Sequence, residues 1–256
     1  MSRASIPRAA RAVSAEWARL AAPSHTTQRF ALAMTGDLPA PARRWVTHAI
    51  APGTPLWRSA TLRMHGHIRL GSSWRTFHAR QVIAPPDGNI WAATARFVGL
   101  PVVGFDRYTA DSGQMRWRLL DIVPVMTASG HDVTRSAAGR LAGEFVLVPT
   151  SFARASWTAG STDDTAVATW TIGGEPHAVE LEVGPGGSLR SVLLQRWGNP
   201  GGAAYGSYPF GVAVQREATF GGVTIPAGFR AGWWWGTDRQ DEGEFFRAHI
   251  TDAAFS

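Results

Sequence analysis

The chain has 256 residues, room for one large domain with a sizeable core, and it holds neither lysine nor cysteine: all 25 basic residues are arginine. Those absences exclude a P-loop lysine, a lysine Schiff base, a thiol nucleophile, a thiolate metal site and a disulfide. Charge is uneven, with 12 arginines against Glu16 and Asp37 in residues 1 to 80 (net +10) and 13 against 17 acids in residues 81 to 256 (net −4), which sum to the overall +6.

The opening residues, MSRASIPRAARAVSAEWARL, are rich in Arg and Ala but lack the continuous apolar core of a secretory signal. No later run approaches the roughly 18 apolar residues of a membrane span, so the expectation is a cytoplasmic protein. Ser5 suits a helix cap with Pro7 in the first turn. Ile6, Ala10, Val13, Trp17 and Leu20 then form one apolar stripe, opposite Arg8, Arg11 and Arg19. Such a stripe docks on the protein's own sheet, or the Arg3 to Leu20 helix makes peripheral contact with a membrane. A second helix is expected over Thr27 to Met34, and a third after LPAP, through Arg43, Arg44, Trp45 and Ile50, ended by the Ala-Pro-Gly at 51 to 53. Residues 1 to 50 thus read as a helical cap, and 54 to 256 as a sheet, in a single domain spanning 1 to 256.

From residue 56 the apolar period changes to two. Leu62, Met64 and Ile68 share a face, with Arg63, His65, His67 and Arg69 on the other. If the apolar faces of this strand and WRTFHARQVI coincide, Leu62 meets Gln81, Met64 meets Ala79, Gly66 meets Phe77, His65 meets His78 and Arg63 meets Arg80. Strands follow at Ile90 to Val98, Val102 to Thr109 and Gln114 to Asp121, the last two joined at Asp111-Ser112-Gly113. That junction is expected to pair Tyr108 with Met115 and Asp106 with Trp117 on one face, with Arg107, Arg116 and Arg118 opposite. A helix is expected at about 132 to 144, with Arg140 and Glu144 as an i,i+4 pair. The chain then returns to strands: AVATWTI, HAVELEV, SLRSVLLQRW after the GPGG turn, VAVQREATF, the tryptophan strand and EFFRAHIT. In AGFRAGWWWG, strand alternation would put Trp233 and Trp235 on one face and Trp234 on the other. The order indicates an α+β fold with one large, strongly curved antiparallel sheet (a half-barrel), covered by the N-terminal helices and one mid-chain helix.

LPAPARRW at 38 to 45, W-x-x-F-x-A-x-Q at 74 to 81, IWAA at 90 to 93, DRY at 106 to 108 with the SGQM that follows, R-x-x-x-x-R-L-x-x-E at 135 to 144, PTSF at 149 to 152 and IPAGFRAGWWWG at 225 to 236 resemble a family of uncharacterised bacterial proteins grouped as a domain of unknown function. That resemblance implies an architecture and no reaction. The order of elements is also similar to the lipoprotein-carrier (LolA/LolB-like) fold, in which a curved antiparallel sheet wraps helices around an apolar cavity. The chain departs from the carriers in lacking a lipoprotein cysteine and an evident export signal.

Twelve tryptophans are the strongest compositional signal. Indoles either pack helices on the sheet or line a hydrophobic cavity, which would lie on the face away from the helices. The reading that results is a binding protein for a small hydrophobic or amphipathic ligand such as a lipid. Trp91, Tyr108, Trp117, Trp233 and Trp235 would supply apolar contact, and Asp106 or Arg196 would orient a polar head. The alternative is a cofactor-independent enzyme in the same cavity, with Asp106 as general acid or base and Tyr108 as hydrogen-bond donor. His65, His67 and His78 form the one candidate metal cluster, but Arg63 and Arg80 on the same face oppose a cation, so neither metal nor cofactor is expected. No motif of a nucleic-acid-binding module is present, so nucleic acid is not an expected partner. Oligomeric state leaves no sequence signature here.

Overall fold

Apolar residues alternate with polar ones along most of the chain after residue 56, and a sheet with two different faces is the physical result. A computed structural model describes residues 6–24, 26–97 and 99–256. Its strands are β1 (Ala60–Leu70), β2 (Ser73–Ala84), β3 (Gly88–Phe97), β4 (Leu100–Thr109), β5 (Ser112–Leu119), β6 (Val123–Ser129), β7 (Ser156–Ala159), β8 (Thr165–Ile172), β9 (Glu175–Val183), β10 (Leu189–Gly198), β11 (Gly206–Phe220), β12 (Val223–Trp233) and β13 (Glu244–Phe255). They form one open 13-stranded sheet in the order β6-β5-β4-β3-β2-β1-β13-β12-β11-β10-β9-β8-β7. Every pairing is antiparallel, so the fold is α+β. Two meanders are joined at the middle, where β1 pairs with β13.

The β1–β2 register agrees with the sequence expectation at all five pairs: Leu62 with Gln81, Met64 with Ala79, Gly66 with Phe77, His65 with His78 and Arg63 with Arg80. The β4–β5 register differs from it. Asp106 pairs with Met115, Tyr108 with Gly113 and Trp117 with Gly104. The reason is a tighter turn: Ala110 and Asp111 both take positive φ, 49° and 52°, as in a two-residue type I′ loop, so Ser112 already belongs to β5. A slip of two residues preserves the faces, and Asp106 and Trp117 still share one.

Helices lie on both sides of the sheet. A 3-10 turn at Arg8–Val13 leads into α1 (Ser14–Leu20). Ala10, Val13, Trp17 and Leu20 pack on Val82, Ala84, Ile90, Ala92 and Phe105, on the outer, convex face. Four members of the expected stripe are therefore docked on the sheet, whereas Ile6 is exposed; Ser5 and residues 1–4 lie outside the described residues. α2 (Ala40–Ala49) packs instead on β8, β9 and β12 from the inner side, with Trp45 against Phe145 and Trp157. Residues 1 to 50 consequently do not form one cap, since their two halves sit on opposite faces. The expected helix over Thr27 to Met34 is also replaced, by a 3-10 turn at Leu32–Thr35. Phe30 is drawn into the core, and its backbone exchanges hydrogen bonds with Gly53 and Thr54 in place of helical partners.

The mid-chain helix α3 (His131–Gly143) spans the inner side of the curled sheet. It packs against β5 near one edge and β10 near the other, two strands separated by seven others in the sheet order. A single helix can touch both only if the sheet curls strongly, and β-bulges at Arg63/Met64 and around Arg216 accompany that curvature.

Candidate functional site

α3 rests on the two wings of the trough and leaves its floor uncovered. Between helix and floor lies a chamber of about 300 Å³. Its floor is Met64, Ile68, Trp91, Phe229, Ala231, Trp233, Phe245 and Phe246, and its roof is Gly139, Gly143, Val146 and Leu147. The cavity is therefore on the helix-covered side of the sheet. The expectation of a hollow opposite the helices is corrected: the outer face already receives Trp17 and Leu20, whereas one helix cannot fill a trough this wide.

Aromatic rings support the floor. Phe77 stacks on Phe246 at 5.1 Å and meets Trp91 edge-on at 5.4 Å, and Phe210 meets Trp233 edge-on at 5.2 Å. The three consecutive tryptophans divide by conformation rather than by strand alternation. β12 ends at Trp233, and Trp234 takes φ 53°, which breaks the alternation while the Trp235 N–H still donates to the Pro209 carbonyl of β11 at 3.4 Å. Trp233 turns inward over Gly198, where a Cβ would lie 2.4 Å from the ring. Trp235 covers Gly211 on the outer face, where a Cβ would lie 2.1 Å from its ring. Trp233 and Trp235 thus end up on opposite sides, contrary to the expectation from alternation.

One end of the chamber is polar. Asp106 Oδ1 accepts a hydrogen bond from Trp117 Nε1 at 2.9 Å, and its Oδ2 pairs with Arg140 at 3.2 Å. Arg140 also donates to Glu144 at 2.7 Å, one turn along α3. Glu144 Oε2 accepts from Gln81 at 2.6 Å and from Asn89 at 3.1 Å. Burial pushes the Asp106 carboxyl above the ordinary aspartate range, against the opposing pull of Arg140, the Trp117 N–H and Arg196. For Arg140 burial acts downward, but Glu144 and Asp106 together hold its titration above the usual arginine value.

Arg196 borders the same end, on β10. Its Nε donates to the Ser136 carbonyl at 3.2 Å and its Nη2 to the Ser136 hydroxyl at 3.4 Å. The guanidinium lies 4.7 Å from the Phe210 ring centre and 4.9 Å from that of Trp233. Burial, with Arg140 as a second like charge, lowers its titration to about 9, still well above neutrality, so it is charged there. A smaller cavity of about 130 Å³ adjoins this end and shares Asp106, Met115, Ser136, Arg140 and Arg196 with the chamber.

The structure thus brings Trp91, Asp106, Arg196 and Trp233 together at the chamber. Trp117 stands behind Asp106 as its hydrogen-bond donor and packs on Trp91, with ring centres 5.7 Å apart. Tyr108 is off the chamber wall and donates its hydroxyl to Asp111 at 2.9 Å. The sequence reading missed Gln81, Ser136, Arg140 and Glu144 as site residues. A signal for Gln81 was present, since it is a polar residue on the apolar face of β2.

The histidines lie elsewhere, on the outer face. His65 neighbours His78 and His249, with ring centres 6.2 Å and 5.7 Å apart. His67 instead pairs in register with Thr76 and Arg247. Among the described residues no three His, Asp or Glu side chains converge to hold a metal ion. Arg8, Arg63, His65, His78 and Arg80 border a separate, basic cleft under the N-terminal 3-10 turn.

Comparison with known proteins places a family match over most of this architecture. The model of the family of unknown function DUF6544 matches residues 28–246. Among curated proteins none matches the chain. Among solved structures, a LolA superfamily protein from Nitrosomonas europaea is similar at 8% identity and TM-score 0.45, over 78% of this chain and 87% of that one. A DUF1329 family protein from Desulfovibrio piger is similar at 11% identity and TM-score 0.39, over 84% of this chain and 90% of that one.

Proposed function

The chain belongs to DUF6544, and from the geometry of its chamber we propose that it binds a small hydrophobic or amphipathic molecule between α3 and the sheet. The observation that carries this reading is an apolar hollow of about 300 Å³ between α3 and the sheet, bordered by buried Trp91 and half-buried Phe229, Trp233 and Phe246. An apolar space of this size is at the low end of the range for ligand sites, about 300–1,000 Å³.

The neutral fluorescent probe N-phenyl-1-naphthylamine tests the proposal. Saturable emission enhancement is expected with the wild type. Ala231→Phe, which places a ring in the void from the floor, is expected to weaken it at least about tenfold while the protein stays folded by circular dichroism. A wild type that does not bind the probe, or a folded Ala231→Phe that binds it equally well, would overturn the reading.

A second reading, acid or base chemistry by Asp106 in the same chamber, is favoured by its raised titration at the chamber wall. Both carboxylate oxygens are nevertheless engaged, by Trp117 and Arg140. Native mass spectrometry of wild type and Asp106→Asn from the same cells separates the two. The same bound mass in both supports binding alone, and a different molecule retained by the variant supports turnover.

A further inference from the structure

Arg196 differs from the other charges at the polar end. Arg140 is held between Asp106 and Glu144, and Glu144 is completed by Gln81 and Asn89. Arg196 has no carboxylate within ion-pair distance among the described residues; its acceptors are the carbonyl and hydroxyl of Ser136. Removing a guanidinium from water without an anionic partner is unfavourable. The aromatic faces of Phe210 and Trp233 recover part of that cost through the ring quadrupole, and no more than part. The group nevertheless borders both the apolar chamber and the polar cavity beside it, so a ligand in the chamber can reach it.

We propose that Arg196 is the receptor for the head group of an amphipathic monoanion, a carboxylic acid whose apolar chain occupies the chamber. This rests on the chamber being a ligand site and goes further, by naming the class of ligand. The geometry favours an acid over an alcohol because a carboxylate accepts two parallel bonds from a planar guanidinium, whereas a hydroxyl satisfies one. Charge favours a monoanion over a dianion. Asp106 and Glu144 are both committed to Arg140, so one negative charge complements Arg196, whereas a second would face those two nearby carboxylates. The Ser136 hydroxyl, 3.4 Å from Arg196 Nη2, is placed to donate to the same carboxylate.

The experiment compares decanoate with decanol at neutral pH, reading quenching of intrinsic tryptophan fluorescence, in wild type, Arg196→Lys and Arg196→Met. The wild type is expected to prefer decanoate by about ten- to a hundredfold, the range of a hydrogen bond to a charged group. Arg196→Lys should keep most of that preference, and Arg196→Met should lose it while still binding decanol. Equal affinity of the wild type for acid and alcohol would overturn the Arg196 assignment and leave the chamber reading standing. Preference retained in Arg196→Met would do the same. Absence of binding of either compound to the wild type would overturn both. Should Arg196→Met not fold, the wild-type ratio still decides.

Discussion

Burial of Asp106 beneath α3 raises its carboxyl titration even though Arg140, Trp117 and Arg196 all act in the other direction. The sign of the resulting pH dependence follows from linkage. The native state holds the Asp106 proton more tightly than the unfolded chain, so its contribution to stability is full below the unfolded value, about pH 4, and is lost as pH rises through the folded value. Asp106→Asn cannot ionise but keeps an oxygen for the Trp117 N–H. Melting temperatures of the two proteins across pH 4 to 7 should therefore shift in favour of the variant as pH rises. A shift in favour of the wild type over that interval would mean that the Arg140 pair outweighs burial. Arg196 carries the opposite residue-scale signature, a buried cation whose titration burial lowers and whose hydrogen bonds go to Ser136.

At the scale of elements, the β4–β5 hairpin turns on Ala110 and Asp111, both at positive φ. Alanine gains nothing in that region, whereas asparagine tolerates it and is common in type I′ loops. Ala110→Asn should therefore stabilise the protein by about 0.5–1 kcal/mol, seen as a melting temperature raised by about 1–4 °C. An unchanged or lower value would show that the turn is held by its strands alone. The same hairpin shows what was legible in the sequence. Face assignments came from alternation and survived, because period-two patterning is set by burial and a two-residue slip preserves it. Register did not survive, because Asp-Ser-Gly is a better turn signal by composition than Ala-Asp, and only the backbone reveals the tighter loop. β6 was missed because Val123, Pro124 and Val125 are all exposed on an edge strand, which leaves no alternation to detect. β7 has four residues, too few to carry a period. Indole chemistry points Trp233 to the site, and strand alternation takes Trp235 with it. Alternation failed where Trp234 ended the strand. Arg140 and Glu144 were legible as a helical pair, but their meeting with Asp106 and Gln81 depends on how far the sheet curls, which no local pattern encodes.

At the scale of the whole molecule, one sheet separates two apolar clusters. The inner one holds α2, α3 and the chamber, and the outer one holds Ala10, Val13, Trp17 and Leu20 against β2, β3 and β4. Side chains on a strand alternate between faces, so the outer cluster touches the chamber only through the backbone of those strands. This arrangement predicts that stability and ligand binding can be separated. Deleting residues 1–21 exposes Val82, Ile90 and Phe105 and removes the burial of Trp17 and Leu20. The melting temperature should fall by on the order of 10 °C. Decanol affinity, measured below the lowered transition, should stay within about twofold of the wild type, because no described residue of that segment borders the chamber. If affinity is lost together with stability in a truncated protein that remains folded at the temperature of measurement, the two faces are coupled through the curvature of the sheet. The outer segment would then act as a brace that sets the width of the trough, and the chamber would depend on it directly.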